Sequence, residues 1–479
     1  MTPAAAGHPV EVDERLLARL AGVCDEVTTD EKAVAEAASD RWPSVPAGLA
    51  GRARPSVVAR PADEEQVAAV LAVCHDAVVP VTPAAGRSGV CGGSIPLHGG
   101  VSLDLCRLDG KPVIDDVSLV ADVPAGVFGP ALEDDLRAAG LTLGHWPQSM
   151  AISTVGGWLA CRSAGQYSTR YGKIEDLTVG LRVVLADGRL IHTGGAPRAA
   201  VGPDLTQVFL GSEGTLGVIT SARLRLRPAP TAQGQAVYGF ESFAAGLDAC
   251  RRILRRAATP AALRLYDPAD ARLAFGDVGG PVLVVVDEGD PVTVDGSMRV
   301  VAEECAGGRA GGGDGRRLDD AFATRWLESR LHLTSFAELG LTGDTAEVAA
   351  PWSALPALYD DMRAALGAVE HVEWVSAHQS HAYADGACIY VTFAGRPPPE
   401  LATAFCLQAW DAAVGAVRRH GACLSHHHGI GLAKARYLPE ALGPAFSVLV
   451  AIKQALDPTG ILNPGKLGLP DPFGPIEWT

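Results

Sequence analysis

HWPQSMAISTVGGWLACRSAGQYSTRYGKIEDLTVGLRVVLADGRL, residues 145–190, followed after a gap by GPDLTQVFLGSEGTLGVIT, residues 202–220, alternates glycine-rich turns with short apolar strands. That rhythm brings backbone N–H groups, unshielded by side chains, up against a flat phosphorylated cofactor. Upstream, RPSVVARP, DEEQVAAVLAVCHDA and VPVTPAAGRSGVCGG run from Arg54 as strand, acid-capped helix, strand and glycine loop. The loop PAAGRSGVCGGSIP, residues 83–96, lets consecutive N–H groups converge on an anion. Alone it also reads as a tight turn that needs positive φ at Gly86, Gly89 or Gly92. Its spacing is not the GxGxxG of dinucleotide folds, and the chain holds no GxxxxGK[ST], which disfavours nicotinamide and Walker-type phosphate binding.

The expected fold class is α+β. Residues 1–50 read as a helical arm, because DERLLARLAGV and DEKAVAEAASDRW set apolar residues three and four apart after acidic starts. Residues 51–228 read as the cofactor domain, ending where LRLRPAP closes a strand with prolines. Residues 229–422 change texture to an α+β substrate or cap domain. Residues 423–479, with SHHHGIGLAKARYLPEAL and LDPTGILNPGKL, are expected to pack back on the cofactor domain. AGGRAGGGDGRR, residues 306–317, is glycine-dense and charged and reads as a mobile surface loop or, alternatively, a lid.

With 479 residues, nearly half of them apolar, the chain can bury a large core. A formal charge of −15 and the lack of a dense basic tract argue against nucleic acid or an anionic membrane as partner. Ten scattered cysteines with no CxxC pair suggest reduced thiols in a cytoplasm. The opening MTPAAAGHPVEVDERLLARL carries no export pattern, and no later apolar run is long enough for membrane insertion.

Together with the loop, STVGGW at 153–158, RYGKIEDL at 170–177 and GSEGTLGVIT at 211–220 resemble the FAD-binding domain of the vanillyl-alcohol oxidase (PCMH-type) flavoprotein superfamily. The ending NPGK at 463–466 is similar to its D-lactate and glycolate dehydrogenase branch, and PQS, SHAYADGACIY at 380–390 and SHHHG at 425–429 look like its alkylglycerone-phosphate synthase branch. The resemblance implies a two-subdomain FAD domain, a cap domain and FAD cradled by Pro83, Ala85, Gly86, Arg87, Ser88, Gly89, Gly92 and Gly93. It adds Ser149, Thr154, Gly156, Gly157 and Ser163 beside the phosphates and flavin, and Glu213, Gly214, Gly217, Val218, Ile219 and Asn463 along the same cleft. Covalently flavinylated relatives place a histidine in the 83–96 loop; none occurs here, so the FAD is expected to be non-covalent. Ala84-Ala85-Gly86-Arg87 replaces the consecutive glycines and threonine usual in relatives.

By motif position Tyr390 matches the synthase branch's catalytic tyrosine, and His426, His427 and His428 its histidine cluster. Arg330 matches its substrate-anion arginine. Histidine titrates near neutrality and can take a hydroxyl proton, while a guanidinium grips a carboxylate or phosphate. Three consecutive histidines also raise a metal site. In extended backbone, however, His426 and His428 would share one face with His427 opposite, so one face supplies at most two ligands, and no metal is assigned. His378 and His381 either line the same pocket or are simply hydrogen-bonded.

The expected function is FAD-dependent oxidation of a small hydroxylated anion, a 2-hydroxy acid or similar alcohol, by hydride transfer to flavin N5 with His/Tyr proton transfer. The alternative is the redox-neutral ether-lipid chemistry of the synthase branch through a flavin adduct. A short 266–284 segment, too small for the lipid-binding insertion, and an early start to the FAD domain weigh against it. The electron acceptor stays open, and a homodimer is suggested by the family alone.

Overall fold

The computed structural model describes residues 9–46, 49, 53–306, 315–332 and 335–474. Residues 307–314 of the glycine-dense loop lie outside the described residues. Strands Val57–Ala59 and Val81–Ala84 both run parallel to Val101–Asp104, which lies between them, and Val27–Thr28 pairs antiparallel with the far edge. The predicted strand, helix and strand are therefore present, but a later strand separates the two. All four residues of Val101–Asp104 are buried, as a central parallel strand requires. The helix Glu64–Ala77 starts where Asp63 accepts the N–H of Gln66 and ends where Val78 turns left-handed at φ 53°. Its Val67, Val70, Leu71 and Cys74 pack with Leu16 and Leu20 of the helix Glu14–Ala21. The expected N-terminal arm is thus two helices, Glu14–Ala21 and Glu31–Ala37, joined by a strand that belongs to the sheet.

A second, antiparallel sheet has the order Val113–Asp115, Val120–Pro124, Val218–Arg225, Thr178–Val184, Leu190–Gly194. Its residues alternate: Ala121, Val123, Leu181, Val183, Ala222 and Leu224 turn toward the helices Gly129–Ala138 and Val155–Cys161. After Arg227–Pro228 the chain enters a seven-stranded sheet. Its order is Arg316–Arg317, Ala232–Gly239, Val282–Gly289, Ala262–Tyr266, Val372–Ala382, Gly386–Gly395, Thr342–Pro351. On one face Leu263, Leu265, Ala346, Val348, Ala377, Ile389 and Val391 bury against the helices Phe243–Arg255, Leu355–Gly367 and Ala402–Arg419. The other face meets Tyr167 and Tyr171 of the first half of the chain.

The last segment touches both the seven-stranded sheet and the first part of the chain. Cys423 bridges to Ala349, Leu432 and Ala433 donate their N–H groups to the carbonyl of Cys91, and Leu462 runs beside Val81. None of the ten cysteines is in a disulfide. Among the described residues no helix is long and apolar enough to cross a membrane.

The alternation yields a direct test on neighbouring residues. Ile389 is fully buried on the helix side, so Ile389→Ala should cost about 2–5 kcal/mol in urea unfolding at an unchanged m-value. Tyr390→Phe, one residue on and facing away from that core, should cost far less.

Candidate active site

Because the strands are in register, Tyr266 lies opposite His378, His378 opposite Tyr390, and Tyr390 opposite Glu347. A row of four polar or aromatic side chains thus crosses four adjacent strands on the face away from the helix-side core. His378 and Tyr390 stack with ring centroids 4.5 Å apart. Above the row lies the segment 425–429, fastened by Glu347. This fully buried carboxylate accepts from the N–H of His426 at 2.9 Å, the N–H of His427, and the Ser425 hydroxyl at 2.9 Å. Lys434 stands 3.8 Å from it and donates to Ser425 Oγ at 3.0 Å. Burial alone would raise the Glu347 carboxyl, but the adjacent histidines and Lys434 hold it well below the usual range.

Residues 426–428 are bends, not an extended strand, so the alternation expected for the three histidines fails. His426 and His427 converge instead, their Nδ1 atoms 3.0 Å apart. His427 Nδ1 lies 2.8 Å from Glu347 Oε1, and its Nε2 lies 3.0 Å from the Tyr390 hydroxyl. On its other side Tyr390 Oη is 2.9 Å from His381 Nε2, and His381 Nδ1 is 2.8 Å from Ser168 Oγ. His426 Nε2 lies 3.0 Å from the Tyr383 hydroxyl, which donates to Ser168 Oγ at 3.3 Å. His428 has no hydrogen bond among the described residues and packs its ring against His427 and Tyr390. Burial keeps His381 and His426 neutral, far below their ordinary pKa, and pushes His428 down to about 3.

Glu347, Cys388, His426 and His427 bring ligand atoms within 4.8 Å of one another. The bends thus give the two-ligand limit no force here. The carboxylate is already committed to the backbone and hydroxyl donors described above.

Arg330 is not brought to this cluster. It ends the helix Ala321–Ser329, lies over the Tyr167 ring at 5.3 Å and donates to the carbonyl of Leu327. The guanidinium that does reach the row is Arg264, whose Nη2 lies 2.9 Å from His378 Nε2, while Asp270 Oδ2 holds His378 Nδ1 at 2.8 Å. The Nε atoms of Arg264 and Arg330 are both buried without a hydrogen-bond partner, so Arg264 is distinguished by its place beside the row and not by a spare donor. Burial first, and then the Arg264 charge, push His378 down to about 4. Sequence reasoning missed Arg264, Glu347 and Ser168. The available signal was the two-residue alternation in ALRLY and TAEVAAP, where a charged residue flanked by core residues marks the opposite face.

The expected cofactor residues gather where four segments meet. Asn463 Nδ2 donates to the carbonyls of Gly93 and Glu213, at 2.9 and 2.6 Å, and Glu213 accepts from the N–H groups of Ile430 and Gly431. Gly214 seats against Pro83, Gly217 against Val183, and Gly156 against Ala125. Thr154 caps the helix that carries Gly156 and Gly157, Ser149 accepts from Ser153 Oγ, and Val218 and Ile219 open the central strand beyond. Gly89, Gly93 and Gly157 have neither positive φ nor a tight neighbour, so their backbone N–H groups stand unshielded by a side chain. This is a cradle of the kind FAD requires. Arg87, by contrast, commits its guanidinium to Asp104, Ser102 and the carbonyl of Ala85, beside Ser88, and Ser163 Oγ bonds His145.

A Cβ on Gly86 would stand 2.2 Å from the carbonyl oxygen of Ile152, so Gly86→Ala should displace the loop and lower the flavin absorbance per protein of the purified enzyme. Acid precipitation of the wild type should leave a colourless pellet. Residues 55–194 match a family model described as FAD binding domain, and residues 229–467 one described as FAD linked oxidases, C-terminal domain. The chain is 29% identical over 454 residues to alkyldihydroxyacetonephosphate synthase of Dictyostelium discoideum, covering 86% of this chain and 73% of that protein. It is also 29% identical over 472 residues to the uncharacterized FAD-linked oxidoreductase YgcU of Escherichia coli K12, covering 92% and 95%. Its fold matches a solved structure of alkyldihydroxyacetonephosphate synthase with TM-score 0.79 and 25% identity, over 97% of this chain and 88% of that one. It matches p-cresol methylhydroxylase with TM-score 0.79 and 19% identity, over 97% and 99%. A glycine cradle, the two matched domains and these relatives lead to one conclusion: the chain belongs to the family of FAD-linked oxidases and has the PCMH-type fold.

Proposed function

We propose that this enzyme oxidises a small hydroxylated anion, a 2-hydroxy acid or a similar alcohol, with Tyr390 and His427 removing the hydroxyl proton. FAD, when bound, supplies the acceptor for the hydride. The observation that carries this reading is the Tyr390 hydroxyl held between two imidazoles, at 2.9 and 3.0 Å, one of them backed by a buried carboxylate. A phenol so placed can pass its own proton to His427 as it takes one from a substrate. His427, bonded on both ring nitrogens, fits the base better than His428, which packs without a hydrogen bond.

Arg264 supports the anionic part of the reading. A carboxylate on the carbon next to the reacting one can lie within reach of a guanidinium that neighbours Tyr390, with Asp270 and His378 fixing its direction. Arg330 stays a candidate for a longer substrate's far end.

The second reading is the synthase's redox-neutral exchange, favoured by the likeness to alkyldihydroxyacetonephosphate synthase. Between Tyr266 and Val282, however, this chain has only the helix Pro268–Phe275 and a turn. Anaerobic titration of the purified protein separates the two. Bleaching of the flavin band by a D-2-hydroxy acid or alcohol is expected; an oxidised flavin together with acid release from acylated glycerone phosphate would replace the proposal. Arg264→Met should raise the Kd of an anionic substrate about 10- to 100-fold, the effect of losing a charge-assisted bond. Arg330→Met should change it less.

A further inference from the structure

Six groups close a ring. Tyr390 meets His427, His427 meets His426, His426 meets Tyr383, Tyr383 meets Ser168, Ser168 meets His381, and His381 returns to Tyr390, every contact between 2.8 and 3.3 Å. A neutral imidazole offers one donor and one acceptor, and so, within such a ring, does each hydroxyl. A closed ring of this kind has two self-consistent hydrogen arrangements, one the reverse of the other. Glu347 separates them. Its Oε1 lies 2.8 Å from His427 Nδ1, and a carboxylate can only accept. In one sense of the ring Nδ1 carries a hydrogen toward Glu347 and His426. In the other, Nδ1 accepts from His426 and has no hydrogen for the carboxylate, so two acceptor atoms face each other across 2.8 Å in a buried pocket, which is strongly unfavourable.

We propose that Tyr390, His427, His426, Tyr383, Ser168 and His381 form a single proton relay whose direction Glu347 sets, which makes Glu347 the positioning residue for the Tyr390 hydroxyl. In that direction His427 is the Nδ1–H tautomer, and His426 and His381 are the Nε2–H tautomers. Tyr383 then donates to Ser168, Ser168 to His381, His381 to Tyr390, and Tyr390 to His427 Nε2. The phenolic oxygen keeps one acceptor direction for an incoming group, so a substrate hydroxyl meets Tyr390 as donor.

The step that follows rests on the oxidation proposed above. The substrate O–H bond breaks as its proton passes to Tyr390, and Tyr390's own proton passes to His427 Nε2. The resulting imidazolium is paired with the Glu347 carboxylate. The electron pair left on the substrate oxygen would form the carbonyl as the carbon gives up its hydride, for which FAD, when bound, would be the acceptor. Two hydrogens leave the alcohol, one as a proton on His427 and one as hydride, and the charges balance. Ser168 and Tyr383 complete the far side of the ring. Without the hydrogen that Ser168 gives to Nδ1, His381 would be free to switch tautomer and draw the Tyr390 proton toward a histidine with no carboxylate behind it.

The test reads tautomers directly. In holoenzyme labelled with 15N-histidine, long-range proton–nitrogen spectra should show His427 protonated at Nδ1, and His426 and His381 at Nε2. Glu347→Gln, whose amide can donate to Nδ1, should invert or mix these assignments and slow single-turnover flavin reduction about 100-fold or more at retained FAD content. Glu347→Asp, which keeps the charge, should keep the tautomers, and Ser168→Ala should alter His381 alone. His427 protonated at Nε2 in the wild type would overturn the relay without any variant having to fold. The expected tautomers, combined with a flavin that no hydroxylated compound reduces, would instead leave the relay standing and remove the oxidation reading.

Discussion

One buried carboxylate ties the active half of this molecule together. Glu347 sits on a strand of small apolar residues, where an ionised group is tolerated only if its lone pairs are filled. The donors that fill them come from residues 425–427, an otherwise irregular stretch with no ladder of its own. The strand therefore dictates where the histidines lie, and the histidines dictate the environment of Tyr390. The arrangement is costly to assemble from water and correspondingly well determined, because any other placement of the segment leaves a charge unpaired.

The cofactor side is held by comparable buried polar ties. Lys453 donates to the carbonyls of Thr215 and Leu462 and pairs with Asp457 at 2.5 Å. Lys466, fully buried, donates to the carbonyl of Ile95, and burial brings its pKa down to about 7. Glu213 binds the N–H groups of Ile430 and Gly431. Such ties replace the regular pairing that loops lack, so glycine-rich backbone can be rigid without being part of a sheet.

What was legible in the sequence follows from what is local. Glycine loops, capped helices and alternating strands are written in consecutive residues, and the elements from Val57 to Arg225 and the cap-domain helices appear as their periodicities imply. Tyr390 and the histidines were visible because motifs name them. Registers were not: the stacking of His378 on Tyr390, and of Tyr390 beside Glu347, depends on pairings between strands far apart in the chain. Arg264 lies for the same reason inside a strand that reads as ordinary core, while Arg330 matches a motif by position alone. The bends at 426–428 have no sequence signal, because three like residues carry no pattern from which a backbone shape follows.

The tie between Asn463 and Gly93 spans 370 positions of the chain. A loop near the start of the first sheet is thus closed by a side chain far along the chain, and Leu462 bridges Val81 beside it. The shape of the glycine-rich backbone at Gly93 is therefore a property of the tertiary fold and not of its own neighbours in sequence.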